Sequence, residues 1–371
     1  MQHRKMGNTG LTPSALGFGM MRLPRKEDGK FDQEESTRIL RWAIDNGLSY
    51  VDTAYTYETS EVVTGNALKD GYREKVTLAT KTPVYAFKCE EDFDRILDEQ
   101  LARLQTDHID CYLLHALNRE TWHDNVLKFN VLEHMKQAKA AGKIRHMGFS
   151  FHDNLDVFKE ILDGFDGWEF CQIQLNYLDT GYQAGLEGLE LAASRGLGVV
   201  IMEPLRGGKL AQVPEQVAKI FGDKNPVEAG LDFLWDRPEV SVVLSGMGNE
   251  QMVRDNMTYA ARSGIHMLTA EDREKYEKAA EFFRSVDSIP CTGCGYCSVC
   301  PMDIAIPQVF AAYNRIQLTG NVRGERPAYD ALGDRSPDKC VECHACEERC
   351  PQHIAIPEEL KKVGKLFRGE W

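Results

Sequence analysis

No run of 18 consecutive apolar residues occurs in this 371-residue chain, so nothing in it reads as a membrane-spanning helix. The opening residues, Met1-Gln2-His3-Arg4-Lys5, lead into polar, glycine-containing sequence with no apolar h-region of a secretory signal, and a cytoplasmic location is expected. Positive charge is in short supply: 44 Lys and Arg stand against 57 Asp and Glu, a formal net charge of -13. Nucleic acids and anionic membranes are themselves negative, so this balance argues against both and leaves small molecules or basic proteins as partners. No G-x-G-x-x-G run follows any candidate strand, which removes the usual fingerprint of an open doubly wound nucleotide fold.

What is present is an ordinary core-forming composition, 43% hydrophobic and 27% charged, on a chain long enough for one large α/β unit and an appendage. The eleven cysteines are the anomaly. Cys89, Cys111 and Cys171 are scattered, whereas the other eight fall within the last 81 residues, a crowding that suggests metal binding over a disulfide framework.

Along the chain, glycines 7 and 10 suggest a hairpin before a first strand near Ala15 to Met20. Asp32 and Glu35 make a capping box before the apolar face Ile39, Leu40, Ala43 and Ile44, and Asn46-Gly47 ends that helix. A strand ending at Asp52 follows. Short apolar strands then recur at Val76 to Lys81, His108 to His115, Ile144 to Ser150, Phe170 to Asn176, Gly198 to Glu203 and Val240 to Gly246. Amphipathic segments fill the gaps, as with Phe93, Ile96, Leu97, Leu101 and Leu104. Eight strands alternating with helices over about 250 residues predict an α/β chain whose main unit is a (β/α)8 TIM barrel. The expected organisation is a barrel over 1–268, a connecting helix over 269–289 and a cysteine-rich domain over 290–371.

Four residues fall at or just beyond consecutive strand ends: Asp52, Tyr57, Lys81 and His115. Catalytic groups of such barrels stand at strand ends. A neighbouring ammonium favours a phenolate, so Lys81 would lower the pKa of Tyr57, Asp52 would hold Lys81, and His115 would donate to a carbonyl oxygen. Each residue alone has a bland reading, as a cap, a packing ring, a solvated end or a core histidine. Together they make a plausible carbonyl-reduction site.

At these residues the chain resembles the aldo-keto reductase family. Its D-T-A-x-x-Y motif stands here as Asp52-Thr53-Ala54-Tyr55-Thr56-Tyr57, followed by Ala79-Thr80-Lys81 and Leu113-Leu114-His115, over roughly residues 4 to 264. The resemblance implies Tyr57 as general acid supported by Asp52, Lys81 and His115, with NADPH as hydride source and NADH as the other candidate. It further implies cofactor contacts from Ser150 and Gln172 at the nicotinamide, from Pro204 and Leu205, and from Ser245, Gly246 and Asn256 at the nucleotide end. The chain departs from the common pattern at Glu58, Phe151, Met202 and Met252, none of which belongs to the four.

The tail spacings are Cys291-x2-Cys294-x2-Cys297-x2-Cys300-Pro301 and Cys340-x2-Cys343-x2-Cys346-x3-Cys350-Pro351, the second being the bacterial ferredoxin run and the first one residue short of it. In two-cluster ferredoxins the Cys before Pro ligates the other cluster. Cys291, Cys294, Cys297 and Cys350 are therefore expected to hold one 4Fe-4S cluster, and Cys340, Cys343, Cys346 and Cys300 another. Structural zinc is the competing reading, weakened because zinc knuckles usually supply cysteines in pairs. Cys-Pro-x-x-Ile-Ala-Ile-Pro occurs at 300–307 and again at 350–357, each before a helical stretch, an arrangement that resembles an α-helical dicluster ferredoxin. Barrel plus tail, together with Met202-Glu203-Pro204-Leu205-Arg206-Gly207-Gly208, resembles the iron-sulfur branch of the aldo-keto reductases. The expected function is an NAD(P)H-dependent oxidoreductase reducing a carbonyl or oxidising an alcohol, with clusters for electron transfer or structure and a flavoprotein or ferredoxin as electron partner. The alternative is an electron-transfer or nucleotide-sensing subunit of a larger redox complex.

Overall fold

The computed structural model describes residues 1–286 and 288–370; Asp287, inside the expected connecting segment, and Trp371 lie outside the described residues. Eight parallel strands close into a barrel in sequence order: β1 (Leu16–Gly19), β2 (Tyr50–Asp52), β3 (Thr77–Thr82), β4 (Ile109–Leu117), β5 (Ile144–Phe151), β6 (Phe170–Gln174), β7 (Gly198–Met202) and β8 (Val240–Ser245). The helices that follow each strand are α1 (Gln33–Asp45), α2 (Ser60–Ala67), α3 (Asp92–Leu104), α4 (Val131–Ala140), α5 (Leu155–Asp163), α6 (Gly185–Ser194), α7 (Pro226–Trp235) and α8 (Glu250–Arg262). This is the (β/α)8 architecture that the strand spacing predicts. Its strands are nearly continuous apolar runs because helices cover the outer face and side chains fill the interior, leaving little polar face to alternate.

The interior is packed by Tyr50, Ala79, Cys111, Leu113, Phe170, Val200, Val242 and Leu244, with Met6 of the N-terminal segment among them. That segment forms the expected hairpin, with Arg4 N–H bonded to Pro13 O at 2.9 Å and Met6 N–H to Leu11 O at 3.0 Å. Isolated bridges tie it to the starts of strands: His3 to Ser14, and Gly7 to Leu197. The buried Arg4 guanidinium donates to the carbonyls of Trp235 (2.6 Å) and Val240 (3.1 Å), satisfying backbone acceptors at this end of the barrel.

Several local expectations are adjusted. Asp32 caps α1 by accepting from the Glu35 N–H at 3.1 Å, but the Asp32 N–H goes to Pro24 O and the Glu35 carboxylate pairs with Arg38 at 2.7 Å, so only half of the capping box forms. β6 stops at Gln174, not Asn176, because the Asn176 side chain accepts from the N–H groups of Leu178 (3.1 Å) and Asp179 (3.0 Å) and turns the chain. On α3 the buried stripe contains Gln100 in place of Leu101.

Two compact units result, one comprising 1–204 with 230–268 and the other 205–229 with 269–371. The second contains α9 (Ala270–Arg284), α10 (Ile306–Thr319), α11 (Val322–Asp330) and α12 (Ile356–Arg368). Its core gathers Ile289, Ile304, Ile306, Phe310, Tyr313, Cys346, Leu360 and Phe367, with Cys291, Cys297, Cys300, Cys340 and Cys350 packed against it. The sequence repeat is a structural repeat. Ile306-Pro307 opens α10 and Ile356-Pro357 opens α12, where proline needs no N–H donor, and the preceding Asp303 and His353 both take left-handed backbone (φ 48 and 50).

Packing beside β2 and β3 is tight at Gly65 in α2. A Cβ there would come within 2.6 Å of Arg103 O and 2.7 Å of Leu104 O, both backbone atoms of α3. Gly65→Ala is expected to cost about 1–3 kcal/mol through overpacking. Urea unfolding measures this, and an unshifted midpoint would mean that the two helices separate freely.

Candidate functional site

β2 ends at Asp52, β3 carries Lys81 one residue from its end, and β4 carries His115 near its end; parallel pairing sets Asp52 beside Ala79 and Lys81 beside Leu113. The three side chains are at most 3% exposed. Tyr57 comes from the turn after β2. Its N–H bonds to Ala54 O at 3.1 Å and its carbonyl accepts from Ser60 N at 2.8 Å. The Ser60 hydroxyl donates to Met20 O and lies 2.8 Å from Thr53 Oγ1, which anchors the turn to β1 and β2. Glu58, where the chain departs from the common pattern, adopts φ 49 and pairs with Arg25 at 2.7 Å. Tyr55 faces away from Tyr57, its hydroxyl on Glu99 at 2.7 Å and its ring under Arg103.

The Lys81 ammonium distributes its three N–H donors to Asp52 Oδ2 at 2.6 Å, Thr53 O at 2.8 Å and Tyr57 Oη at 3.4 Å. Burial pushes the Lys81 ammonium down and the Asp52 carboxyl up, and each opposes the other's shift across their 2.6 Å contact. The rings of Tyr57 and His115 meet edge-on at 5.9 Å. Burial, followed by the charges of Lys81 and His152, drives the His115 imidazole well below its usual range, so the ring is neutral near pH 7. A neutral imidazole keeps one N–H donor without bringing a second cation beside Lys81. The arrangement thus offers a proton donor in contact with an ammonium and a neutral ring donor facing it.

A polar layer beneath Lys81 escaped the sequence reading. Gln100 Nε2 donates to Glu61 Oε1 (2.7 Å) and to the carbonyl of Lys81 itself (3.1 Å), Thr80 Oγ1 donates to Glu61 (2.7 Å), and Tyr112 Oη donates to Gln100 Oε1 (2.7 Å). Burial raises the Glu61 carboxyl against these donors and Arg103. One signal was visible: Gln100 interrupts an otherwise apolar helix stripe, and a buried amide requires partners.

Of the residues implied for a nicotinamide cofactor, Ser150 and Gln172 are register partners on β5 and β6, both at most 2% exposed. Ser150 Oγ accepts from Ala116 N at 2.8 Å. Gln172 places Nε2 3.6 Å from Met202 Sδ, while its buried Oε1 has no hydrogen-bond partner among the described residues. A buried amide with an open acceptor fits a carboxamide ligand. Ser245 and Asn256 are joined by a 2.8 Å hydrogen bond, and the Arg22 side chain lies over Gly246 so closely that a Cβ there would be 3.2 Å from it. Pro204 ends the first of the two stretches that make up the first compact unit, and Leu205 opens the stretch assigned to the second.

In the second unit, Cys300, Cys340, Cys343 and Cys346 line one pocket with Met302, Val341, Glu342 and His344. Burial pushes the Cys297 thiol up to about 12, with the neighbouring Cys294, Cys291 and Cys350 adding to the shift. Cys300 of the first run thus lines a pocket with three cysteines of the second, and Cys350 of the second run acts on Cys297 of the first. Among the described residues no three Cys, His, Asp or Glu side chains converge closely enough for a single metal ion.

The aldo/keto reductase family model matches residues 15–274, and the 4Fe-4S dicluster domain model matches residues 290–355. Aldo-keto reductase YhdN of Bacillus subtilis is 34% identical over 175 residues, 43% of this chain and 51% of that protein, so the chain spans about half the length of that relative. L-galactose dehydrogenase of Arabidopsis thaliana is 28% identical over 68% of this chain and 86% of its own. Among solved structures, the holo form of aldo-keto reductase AKR11C1 from Bacillus halodurans superposes with a TM-score of 0.63 at 27% identity, covering 75% of this chain and 96% of that one. A closed eight-strand barrel and a family match over most of the chain lead to one conclusion: this oxidoreductase chain belongs to the aldo/keto reductase family and carries a C-terminal 4Fe-4S dicluster domain.

Proposed function

We propose that the chain reduces a carbonyl group, or oxidises the corresponding alcohol, by hydride transfer with NAD(P)H, and that its tail holds two 4Fe-4S clusters. The observation that supports this best is the buried Lys81 ammonium shared between Asp52 Oδ2 and Tyr57 Oη. Neutral His115 donates to the carbonyl oxygen and fixes its direction. Tyr57 Oη gives its proton to that oxygen as the alcohol forms, and the adjacent Lys81 ammonium stabilises the phenolate left behind, worth most where water is excluded. Asp52 keeps Lys81 charged and in place. Ser150, Gln172, Pro204, Leu205, Ser245, Gly246 and Asn256 are the residues we assign to binding the nucleotide, which when bound supplies the hydride. Cys291, Cys294, Cys297 and Cys350 form one ligand set and Cys340, Cys343, Cys346 and Cys300 the other; the clusters supply one-electron exchange. A reducing cytoplasmic setting agrees with thiolate ligands.

Tyr57→Phe is expected to lower kcat for a model aldehyde by ~100 to ~10,000-fold with nucleotide affinity nearly unchanged, because only the transition state needs the proton. Stopped-flow turnover at the parental rate would remove Tyr57 from the mechanism.

The nucleotide preference is expected to be moderate. Met252 is exposed and uncharged, and the nearby Arg254 guanidinium stacks on Trp42 at 4.4 Å and pairs with Glu250 at 2.5 Å. Fluorescence titration should give NADPH the tighter Kd by less than about tenfold, or ~1.4 kcal/mol. Tighter NADH binding would reverse the assignment.

Nicotinamide exchanges electrons in pairs and a 4Fe-4S cluster exchanges them singly, so a flavin normally stands between them. NADPH added anaerobically to the cluster-loaded protein without flavin is expected to leave the reduced-cluster electron paramagnetic resonance signal absent on the timescale of carbonyl turnover. Rapid appearance of that signal would point to a flavin-like converter in the chain.

A further inference from the structure

The two cysteine quartets differ in what surrounds them. Among the described residues, the exposed large apolar side chains of the cysteine-rich unit are Val299 (49%), Met302 (39%) and Val341 (59%). All three flank one quartet: Val299 precedes Cys300, Met302 follows it by two, and Val341 follows Cys340. In the same quartet Cys343 is exposed, Cys300 and Cys340 are half-buried and Cys346 is buried, whereas Cys291, Cys294, Cys297 and Cys350 are all half-buried, so the one exposed thiol of the eight belongs to this quartet. Met302 and Val341 line the pocket of Cys300, Cys340, Cys343 and Cys346 directly.

Charge separates the two cysteine runs as well. The segment Cys291 to Cys300, which gives one thiol to this quartet, contains no charged side chain, while Asp338 to Lys362, which gives its other three thiols and also Cys350, carries six carboxylates against four cations. Glu342 and His344 are at the pocket itself, and the carboxylates of Glu347, Glu358 and Glu342 surround His344. Two of these carboxylates are already paired within the unit, Glu347 with His344 at 2.5 Å and Glu342 with Lys361 at 2.7 Å, which leaves the rim mildly acidic. An apolar spot over a thiol ring, inside a mildly acidic rim on a chain of net charge -13, has the chemistry of a small electron-transfer interface.

We propose that the Cys300/Cys340/Cys343/Cys346 quartet is the electron port of the chain, and that its Met302–Val341 face docks a one-electron carrier protein with a basic rim. The proposal rests on the two-cluster reading above and extends it by assigning the outward-facing cluster and the sign of its partner. One electron leaves the reduced cluster, which returns to its oxidised state, and enters the partner's oxidised centre; no bond forms and no proton moves. Apolar contact brings the two centres close, and the acidic rim steers approach and aligns the docked pair.

The test uses the full cluster-loaded protein, reduced with dithionite and freed of excess reductant. It is mixed in a stopped-flow instrument with the ferric form of a basic c-type cytochrome, followed by haem absorbance. Val341→Lys and Met302→Lys are expected to lower the second-order rate constant by about tenfold or more, since a misplaced charge removes steering that is worth ~10 to ~1000-fold. Ile265→Lys on the barrel surface and the parental protein should stay within about twofold of one another, and added salt should slow the parental reaction. Integrated electron paramagnetic resonance of the reduced clusters must be equal in every variant, which separates docking from cluster loss. Parental rates in both lysine variants, or faster reaction with an acidic one-electron carrier than with the basic cytochrome, would overturn the port. A parental protein loaded with iron and sulfide that shows no reduced-cluster signal would instead overturn the two-cluster reading, and the port with it.

Discussion

A buried ion pair sets the terms for the barrel. Lys81 has no exposed surface, and Asp52, 2.6 Å away, has almost none. Taking both charges out of water costs several kcal/mol per ion, and only close contact with further hydrogen bonds repays it. Lys81 obtains those bonds from Thr53 O and Tyr57 Oη, so the groups that make the pair tolerable are the ones that place a phenol at the end of β2. Stability and chemistry are therefore coupled at one ammonium. The Gln100 bond to the Lys81 carbonyl fixes the backbone from the other side, so the position of the charge is constrained both at its head and at its root.

Closure of the barrel does the rest of the positioning. Parallel pairing in sequence order brings the ends of β2, β3 and β4 to one rim, and each strand needs to contribute only one residue to the site. This explains why the four candidate residues read as strand-end positions spread over Asp52 to His115, with the D-T-A-x-x-Y run joining Asp52 to Tyr57 alone. The same closure explains the hairpin at the opposite end, where Arg4 spends its donors on backbone carbonyls near the starts of strands.

Strands and helices could be read because apolar periodicity reports burial, and burial is what the barrel imposes. Reading failed where a polar side chain was buried for the sake of another polar group. Gln100 was passed over for Leu101 because an amide on an apolar stripe looks like an interruption, yet it serves four partners in the layer beneath Lys81. The capping box over-read Glu35, because a carboxylate three residues after Asp32 has a competing cation in Arg38 one turn on. β6 was carried to Asn176 because the apolar run continues into a residue whose side chain ends it. In the tail the crossed grouping of cysteines is an expectation of the Cys-Pro rule, while the apolar patch beside Cys300 and Cys340 has no signal in the sequence, since exposure is not written in spacing.

On the proposed reading the two units place their reactive groups in different environments, Lys81 and His115 buried, and Cys343 exposed beside a buried Cys346. A hydride and a proton travel only a bond length or so between atoms already in contact, so a site proposed for them gains from burial, which neutralises His115 and disfavours a Lys81 charge that Asp52 in turn supports. An electron needs no such contact and tolerates a partner that arrives and leaves, so its site gains from an edge near solvent, as Cys343 and Val341 are. A deeply buried quartet would be shielded from a protein partner, and an exposed tetrad would lose the low-dielectric setting that gives its ammonium effect. Charges buried in the barrel are held by partners, Asp52 by Lys81, Glu61 by Thr80 and Gln100, and Asp110 by Arg73, whereas the pocket of Cys300, Cys340, Cys343 and Cys346 is lined by the exposed Glu342 and His344.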